Sequence, residues 1–325
     1  MPAVRPKLSV IIVSYNTREM TLSCLSTLYA GLGDVSAEVW MVDNGSVDGS
    51  VAAVRAAYPD VLVIDTGENL GFGVANNRAM EQASGDYFLL LNSDAFPIGD
   101  AVTQLTAYMD QHPRVGVAGP RLLNADGTLQ LSCFRFPSPL QAWMENLWIT
   151  KLFANHAVAG DYRRWAHDRE RDVDFVIGAC MIVRREVFEK VGGFDPRFFM
   201  YAEETDWQRR IHDAGWTVAF TPSADVTHWG GASGLASAGK TREYFFASLD
   251  RYVRKHHGVT GLISMRLAMI AGSLMRTIVW TLASVAPKRR EHAAAKLRLQ
   301  TWLLARQTTN WAVANGDGSG RRRSG

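Results

Sequence analysis

The strongest constraint on how this chain folds is an alternation of apolar runs and helix-like stretches over its first ~90 residues. Leu8 to Val13 reads as a strand buried on both faces of a parallel sheet, and Arg18 to Tyr29 as the helix after it. Glu38 to Val42 forms a second strand, closed by Asp43-Asn44-Gly45-Ser46 and Asp48-Gly49-Ser50, with a helix running to Ala57. Val61 to Asp65 is a third, leading through Thr66-Gly67-Glu68-Asn69-Leu70-Gly71-Phe72-Gly73 into a helix from about Val74 to Ala83. Tyr87 to Leu91 is the fourth and stops at Asn92-Ser93-Asp94. Such an order predicts an α/β fold, Rossmann-like, with a mostly parallel central sheet flanked by helices. Ligands on open sheets of this kind bind beyond the strands' carboxyl ends, which is where the polar clusters fall.

Val115 to Gly119 is a fifth apolar run, after which Asn124 to Asp172 is rich in Trp, Pro and Arg and shows little periodicity. Regular structure resumes in Phe175 to Val183, the helix Arg185 to Val191 and the stretch Phe198 to Ala214. Tyr244 to Gly258 reads as a basic helix and Leu262 to Ala286 as an apolar one. Arg266 and Arg276 would sit at membrane depth if the apolar helix spanned, so it is expected to lie on a membrane or on protein. The predicted organisation is a catalytic domain over 1–240 with halves near 1–120 and 121–240, a helical extension over 241–312, and a disordered basic tail over 313–325. Lys+Arg total 35 against 32 Asp+Glu, and the excess gathers near the C-terminus, which argues against a nucleic-acid partner. Cys24, Cys133 and Cys180 lack metal-ligand spacing and suit a reducing compartment, and the first seven residues lack a secretion signal, so the expectation is cytoplasmic.

Four clusters carry chemistry. Ser14-Tyr15-Asn16 and Asp43-Asn44-Gly45-Ser46 stand where a nucleoside would rest on adjacent strand ends, with Asp43 able to accept from the base or ribose, although capping of the following helices accounts for such residues singly. The segment from Asn69 through Gly71 and Asn76 to Arg78 has glycines that let backbone approach a ligand and an arginine suited to phosphate. It matches neither the dinucleotide fingerprint nor the P-loop, and a plain loop-to-helix junction explains the glycines equally well. Asn92-Ser93-Asp94 delivers a carboxylate to the sheet edge, where a hard cation, Mg²⁺ or Mn²⁺, would bridge it to a diphosphate; a simple turn is the alternative. In Tyr201-Ala202-Glu203-Glu204-Thr205-Asp206-Trp207 three carboxylates fall within four positions, and one can act as general base. A helix starting near Ala202 places Glu203 and Asp206 on one face and Glu204 elsewhere, while carboxylates favoured by the helix dipole are the plainer reading. His228 is either a core histidine or a second metal ligand beside Asp94.

Taken in order, Val10 to Asn16, Val42 to Ser50, Asn69 to Gly73, Ala75-Asn76-Asn77, Leu91 to Asp94, Gly178 to Met181, Gly192 to Asp195 and Glu203 to Trp207 make the chain resemble the family-2 glycosyltransferases of GT-A fold. Among these it is similar to the bacterial rhamnosyltransferase-like group, and the match covers roughly residues 8 to 235. The resemblance implies inverting transfer of a sugar from a nucleoside-diphosphate sugar to a glycan or lipid-linked acceptor, with L-rhamnose from dTDP-rhamnose as the favoured donor. By position, Ser14, Asn16 and Asp43 would bind the nucleoside, and Asn69 with Asn76 the nucleotide-sugar. Tyr15, Gly71, Arg78, Asn92 and Ser93 would belong to the same donor site. Asp94 and His228 would hold the metal, Glu204 would be the base, Asp206 would shape the acceptor site, and Glu203 or Asp206 would replace Glu204 if it were turned away. Two departures stand out: Asn92 occupies a position where the family commonly has aspartate, and Glu204 replaces a frequent aspartate. The expected setting is the cytoplasm or the cytoplasmic face of the inner membrane, in surface polysaccharide or glycolipid synthesis; the region after about Gly239 lies outside the matching motifs, and its helices at 244–258 and 262–286 would dock near an anionic membrane or pack on the catalytic domain or on a second subunit of a homodimer. A nucleotidyltransferase would need a basic glycine-rich loop after the first strand, which Ser14-Tyr15-Asn16 does not supply; a catalytically silent nucleotide-sugar-binding scaffold is favoured only by Asn92.

Overall fold

A computed structural model describes residues 5–152, 165–230, 238–286 and 289–309, so the tail at 313–325 lies outside the described residues. The opening alternation is β1 (Leu8–Ser14), α1 (Arg18–Gly31), β2 (Ala37–Asp43), α2 (Ser50–Ala57), β3 (Leu62–Asp65), α3 (Phe72–Met80) and β4 (Tyr87–Asn92). There follow β5 (Ala95–Pro97), α4 (Ala101–Gln111), β6 (Val115–Leu123), β7 (Leu129–Gln130) and β8 (Cys133–Phe134). Next come α5 (Pro139–Asn146), α6 (Ile149–Leu152), β9 (Arg171–Asp172), β10 (Phe175–Val176) and β11 (Cys180–Arg184). The chain closes with α7 (Arg185–Val191), α8 (Glu203–Asp213), β12 (Thr217–His228), α9 (Ala238–Ala283) and α10 (Arg290–Thr309).

The main sheet has the order β3-β2-β1-β4-β11-β6-β12-β5, with β7 against β6 and β9 against β12. Its first four strands are all parallel, Ser14 lying opposite Asp43 and Val13 opposite Asn92, so three polar strand ends finish along one edge. Beyond β4 the sheet becomes mixed: β11 runs antiparallel between β4 and β6, while β12 returns parallel to β6. Burial explains the sequence pattern. Leu8, Val10, Ile11 and Ile12 of β1 are wholly buried, and Leu8, Val10 and Ile12 share one core with Leu25, Leu28, Met41 and, from α4, Leu105 and Met109. All three cysteines are free and buried, and desolvation pushes the Cys133 and Cys180 thiols up to about 12, so they are inert packing groups.

Two compact units divide the chain, and the boundary differs from a single cut after 240. The first runs through Phe136 and resumes from Trp165 to Ser248, while α5 and α6 belong with the C-terminal helices in the second. Within the second unit, Ser138 caps α5 by accepting from Gln141 N at 3.2 Å, with Pro139 favourably placed in the first turn. The two helices expected over 244–258 and 262–286 form one element, α9, interrupted where Gly258 adopts φ 68° and ψ −172°. His257 meets the Pro137 carbonyl at 3.1 Å, and Trp143 donates to Ser264 Oγ at 3.1 Å. Arg266 is buried and donates to Asp250 Oδ2 at 2.8 Å, and Arg306 reaches the same oxygen at 3.2 Å. An internal ion pair, rather than solvent, therefore accommodates the arginine in the middle of the apolar stretch. The opposite side of that stretch leaves Leu267, Leu274, Ile278, Leu282 and Val285 exposed.

Candidate active site

At the end of β1, Ser14 is buried and its hydroxyl meets Thr21 Oγ1 at 2.9 Å and Thr17 Oγ1 at 3.2 Å. Thr17 also meets Ser93 Oγ at 2.9 Å, tying the end of β4 to the start of α1. Tyr15 is 40% exposed at the open edge. Asn16 adopts a left-handed φ of 53°, which asparagine tolerates, and accepts from Val47 N at 2.9 Å. Asp43 is buried with one oxygen accepting from Ser46 N at 2.8 Å, while Oδ1 has no hydrogen-bond partner among the described residues. A buried carboxylate oxygen without a donor costs stability.

Asn44 organises the neighbouring loop. Its carboxamide donates to Asn69 Oδ1 at 3.0 Å and accepts from Leu70 N at 2.9 Å, and Asn69 in turn accepts from Gly71 N at 3.0 Å. At Gly71, φ is 81° and an added Cβ would collide with the Phe199 carbonyl, so the glycine is required both by conformation and by close packing. Asn76 donates to Phe72 O at 3.0 Å, and its buried Oδ1 is also unpartnered among the described residues. Arg78 is not brought to this group: it is exposed in the last turn of α3, which starts at the edge and runs away from it.

Asp94 is buried, and its Oδ1 lies 3.3 Å from His228 Nε2. The pairing arises because β12 ends beside β5, with His228 opposite Ala95. Trp229 N donates to the Asp94 carbonyl at 3.1 Å, and Gln130 Oε1 meets His228 Nδ1 at 2.7 Å. Asn92 donates its backbone N–H to Ala179 O at 2.9 Å, which fixes the turn before β11 against the end of β4.

That turn locates the acidic cluster. A Cβ on Gly178 would stand 3.7 Å from the Glu204 Cβ, so Glu204 lies next to the segment held against Asn92. Glu203 is 5% exposed, and a Cβ on Gly73 would stand 3.6 Å from its own Cβ. Desolvation raises the carboxyls of both, and the charge of Glu204 lifts Glu203 further, well above the ordinary range. Asp206 is fully buried and accepts from Arg210 Nε at 3.0 Å, while Arg210 also donates to the Val191 and Gly193 carbonyls. It presents no surface to an acceptor, so the expectation that it shapes the acceptor site gives way to a scaffold role in holding the 191–193 turn. Two consecutive non-glycine residues in left-handed conformation, Tyr201 and Ala202, set the angle at which α8 enters. Ser248 of α9 donates to Met200 O at 2.8 Å, and Phe245 packs against Tyr201 at 5.9 Å.

Asn44 stands within the Asp43-to-Ser46 cluster that the sequence singles out, whereas Thr17, Thr21, Gln130 and Ser248 are not marked by it; Thr17 and Thr21 follow β1 directly, and Gln130 and Ser248 come from distant elements. A hollow of about 380 Å³ lined by Tyr108, His112, Arg114, Glu170 and Asp172 lies at the opposite ends of β6 and β12 and contains none of these residues.

The parallel half-sheet, the antiparallel β11 and the carboxylate-bearing edge define a GT-A glycosyltransferase fold. The mannosyltransferase of Pyrobaculum calidifontis, solved with GDP-Man and Mn²⁺, is similar to this chain with a TM-score of 0.60 at 19% identity, covering 94% of this chain and 86% of that one. The model of glycosyl transferase family 2 matches residues 9–192, and the chain belongs to that family. It is 33% identical to the N-acetylglucosaminyl-diphospho-decaprenol L-rhamnosyltransferase of Mycobacterium tuberculosis over 58% of this chain and 66% of the relative, just short of two thirds of the latter's length. A low-salt glycan biosynthesis hexosyltransferase of Haloferax volcanii is 26% identical over 68% of the chain and 66% of that relative.

Proposed function

We propose that the protein is an inverting, metal-dependent transferase that moves a sugar, with L-rhamnose from dTDP-rhamnose favoured, onto a lipid-linked glycan acceptor during surface polysaccharide or glycolipid synthesis. The observation that carries this reading is the gathering of Asp43, the Asp94–His228 pair and Glu204 along one sheet edge. Asp43, Asn69 and Asn76 hold the nucleotide part, the unpartnered oxygens of Asp43 and Asn76 accepting from it. Glu204 takes the proton of the acceptor hydroxyl as that oxygen bonds to the anomeric carbon and the sugar–phosphate bond breaks, the electron pair leaving with the nucleoside diphosphate. Its raised carboxyl makes it a better base than an exposed glutamate at neutral pH.

Asp94 and His228 fit a divalent cation: a buried carboxylate oxygen and an imidazole nitrogen face each other, and the other ring nitrogen is engaged by an amide. Among the described residues no third acidic, histidine or cysteine side chain joins them, so the remaining ligands would be phosphate oxygens and water. When bound, Mg²⁺ or Mn²⁺ supplies Lewis-acid neutralisation of the departing diphosphate. The nitrogen ligand favours Mn²⁺, because Mg²⁺ prefers an all-oxygen shell. The relative's decaprenol-linked substrate supports a lipid-linked acceptor. The exposed apolar side of α9 supports contact with the cytoplasmic face of a membrane.

A thermal-shift screen of nucleoside diphosphates and their sugars, with and without Mn²⁺, tests the reading. A metal-dependent rise in melting temperature with dTDP or dTDP-rhamnose is expected, followed by turnover with a polyprenyl-diphospho-sugar. No shift with any nucleotide would refute it.

A further inference from the structure

We infer that Gln130 is a positioning residue for the metal site, fixing the proton of the His228 ring on Nδ1 so that Nε2 is left free for a cation shared with Asp94. The inference rests on the metal reading of Asp94 and His228 given above and extends it to a residue of the β6–β7 hairpin.

The amide assignment follows from the contacts of Gln130. Its Nε2 donates to Asn124 Oδ1 at 3.0 Å and to the His228 carbonyl at 3.2 Å, two groups that only accept, so Oε1 is the atom 2.7 Å from His228 Nδ1. An amide oxygen cannot donate, and Nδ1 must therefore carry the hydrogen. The amide of Asn124 is itself fixed, since its Nδ2 donates to Thr128 Oγ1 at 2.9 Å and that hydroxyl gives its own proton to Asp126 Oδ1 at 2.6 Å. The β6–β7 hairpin thus presents one rigid face to the histidine. Its turn is closed by Asn124 N to Thr128 O at 2.8 Å and Gly127 N to Asn124 O at 2.9 Å.

With the hydrogen on Nδ1, the lone pair of a neutral ring at Nε2 points at a carboxylate oxygen 3.3 Å away. Two acceptors facing each other at that distance in a buried setting repel, and a cation between them turns the repulsion into ligation. Free histidine carries no such bias, so the tautomer is a property of the hairpin. The same contact holds the ring plane: Gln130 grips Nδ1 through its carbonyl and the His228 backbone through its amide, leaving little freedom about the side-chain torsions.

The test combines spectroscopy with metal affinity on the full chain. In the wild-type protein without metal, at about pH 8, above the ordinary histidine range, ¹⁵N NMR of the His228 ring should show a proton on Nδ1. A proton on Nε2 alone would overturn the proposal without any variant being made. Free-Mn²⁺ EPR titrations, with Mn²⁺ alone and with Mn²⁺ plus dTDP, should show about 10- to 100-fold weaker binding for the near-isosteric Gln130→Met, with melting temperature confirming that it folds. Asp94→Asn and His228→Gln separate the two layers of argument. If both bind Mn²⁺ as the wild type does, the metal reading fails and this inference fails with it. If both weaken binding while Gln130→Met does not, the metal site stands and the role of Gln130 is refuted.

Discussion

Glu203 and Glu204 are adjacent in sequence but meet different surroundings at the first turn of α8. Because burial raises both carboxyls, each gives up its proton later in the folded protein than in the unfolded chain. Above the ordinary value of 4.5 the unfolded state therefore holds fewer protons, and stability falls as pH rises from there through the raised native values. Glu203→Gln should flatten this decline, giving a melting temperature at neutral pH no lower than the wild type's; a steeper decline would refute the burial argument. The acidic limb of kcat should likewise lie above the usual glutamate range, since Glu204 acts in its ionised form. Glu204→Gln should lower kcat by about 10²- to 10⁴-fold with little change in donor affinity, and comparable loss of nucleotide binding would instead mean a structural role. Asp94→Asn should remove metal stimulation of turnover altogether, while metal-stimulated activity at the wild-type level would leave the ion without its proposed carboxylate.

The Asn69–Gly71 loop and the Phe198–Ala202 turn lock together at the level of elements. Phe72 N donates to the Phe199 carbonyl at 3.3 Å, and Gly71 passes too close to that carbonyl for any side chain. Gly71→Ala combines a left-handed backbone with that collision. It should cost about 1–3 kcal/mol of stability, read by denaturant melts, and should weaken nucleotide binding as the loop is displaced. The strands and helices of the first half were legible because a buried parallel strand is apolar at every position and small polar residues stop it abruptly. What escaped was orientation. Cys180 to Val183 is as apolar as β1, and nothing in its periodicity tells that it runs antiparallel between β4 and β6. Arg78 and Asp206 show the same limit: spacing along a chain gives a face of a helix, while the neighbour met by that face is decided elsewhere in the fold.

At the scale of the whole molecule, the exposed stripe Leu267, Leu274, Ile278, Leu282 recurs at helical spacing with no charge among its members. Leu274→Glu combined with Ile278→Glu should reduce sedimentation with anionic vesicles while leaving transfer to a water-soluble acceptor analogue intact; unchanged vesicle binding would place the stripe against protein instead. Local sequence determined the apolar strands, the polar groups that end them and the carboxylates available for chemistry, because hydrophobic period and strand termination are properties of a few neighbouring residues. Tertiary structure alone decided that His228, 134 positions after Asp94, stands 3.3 Å from it. It also brought Gln130 to the far side of that ring and used Asp250 to neutralise an arginine inside an apolar helix. Those pairings come from strand order and register, which depend on how the entire sheet closes its core rather than on any stretch of the chain read by itself.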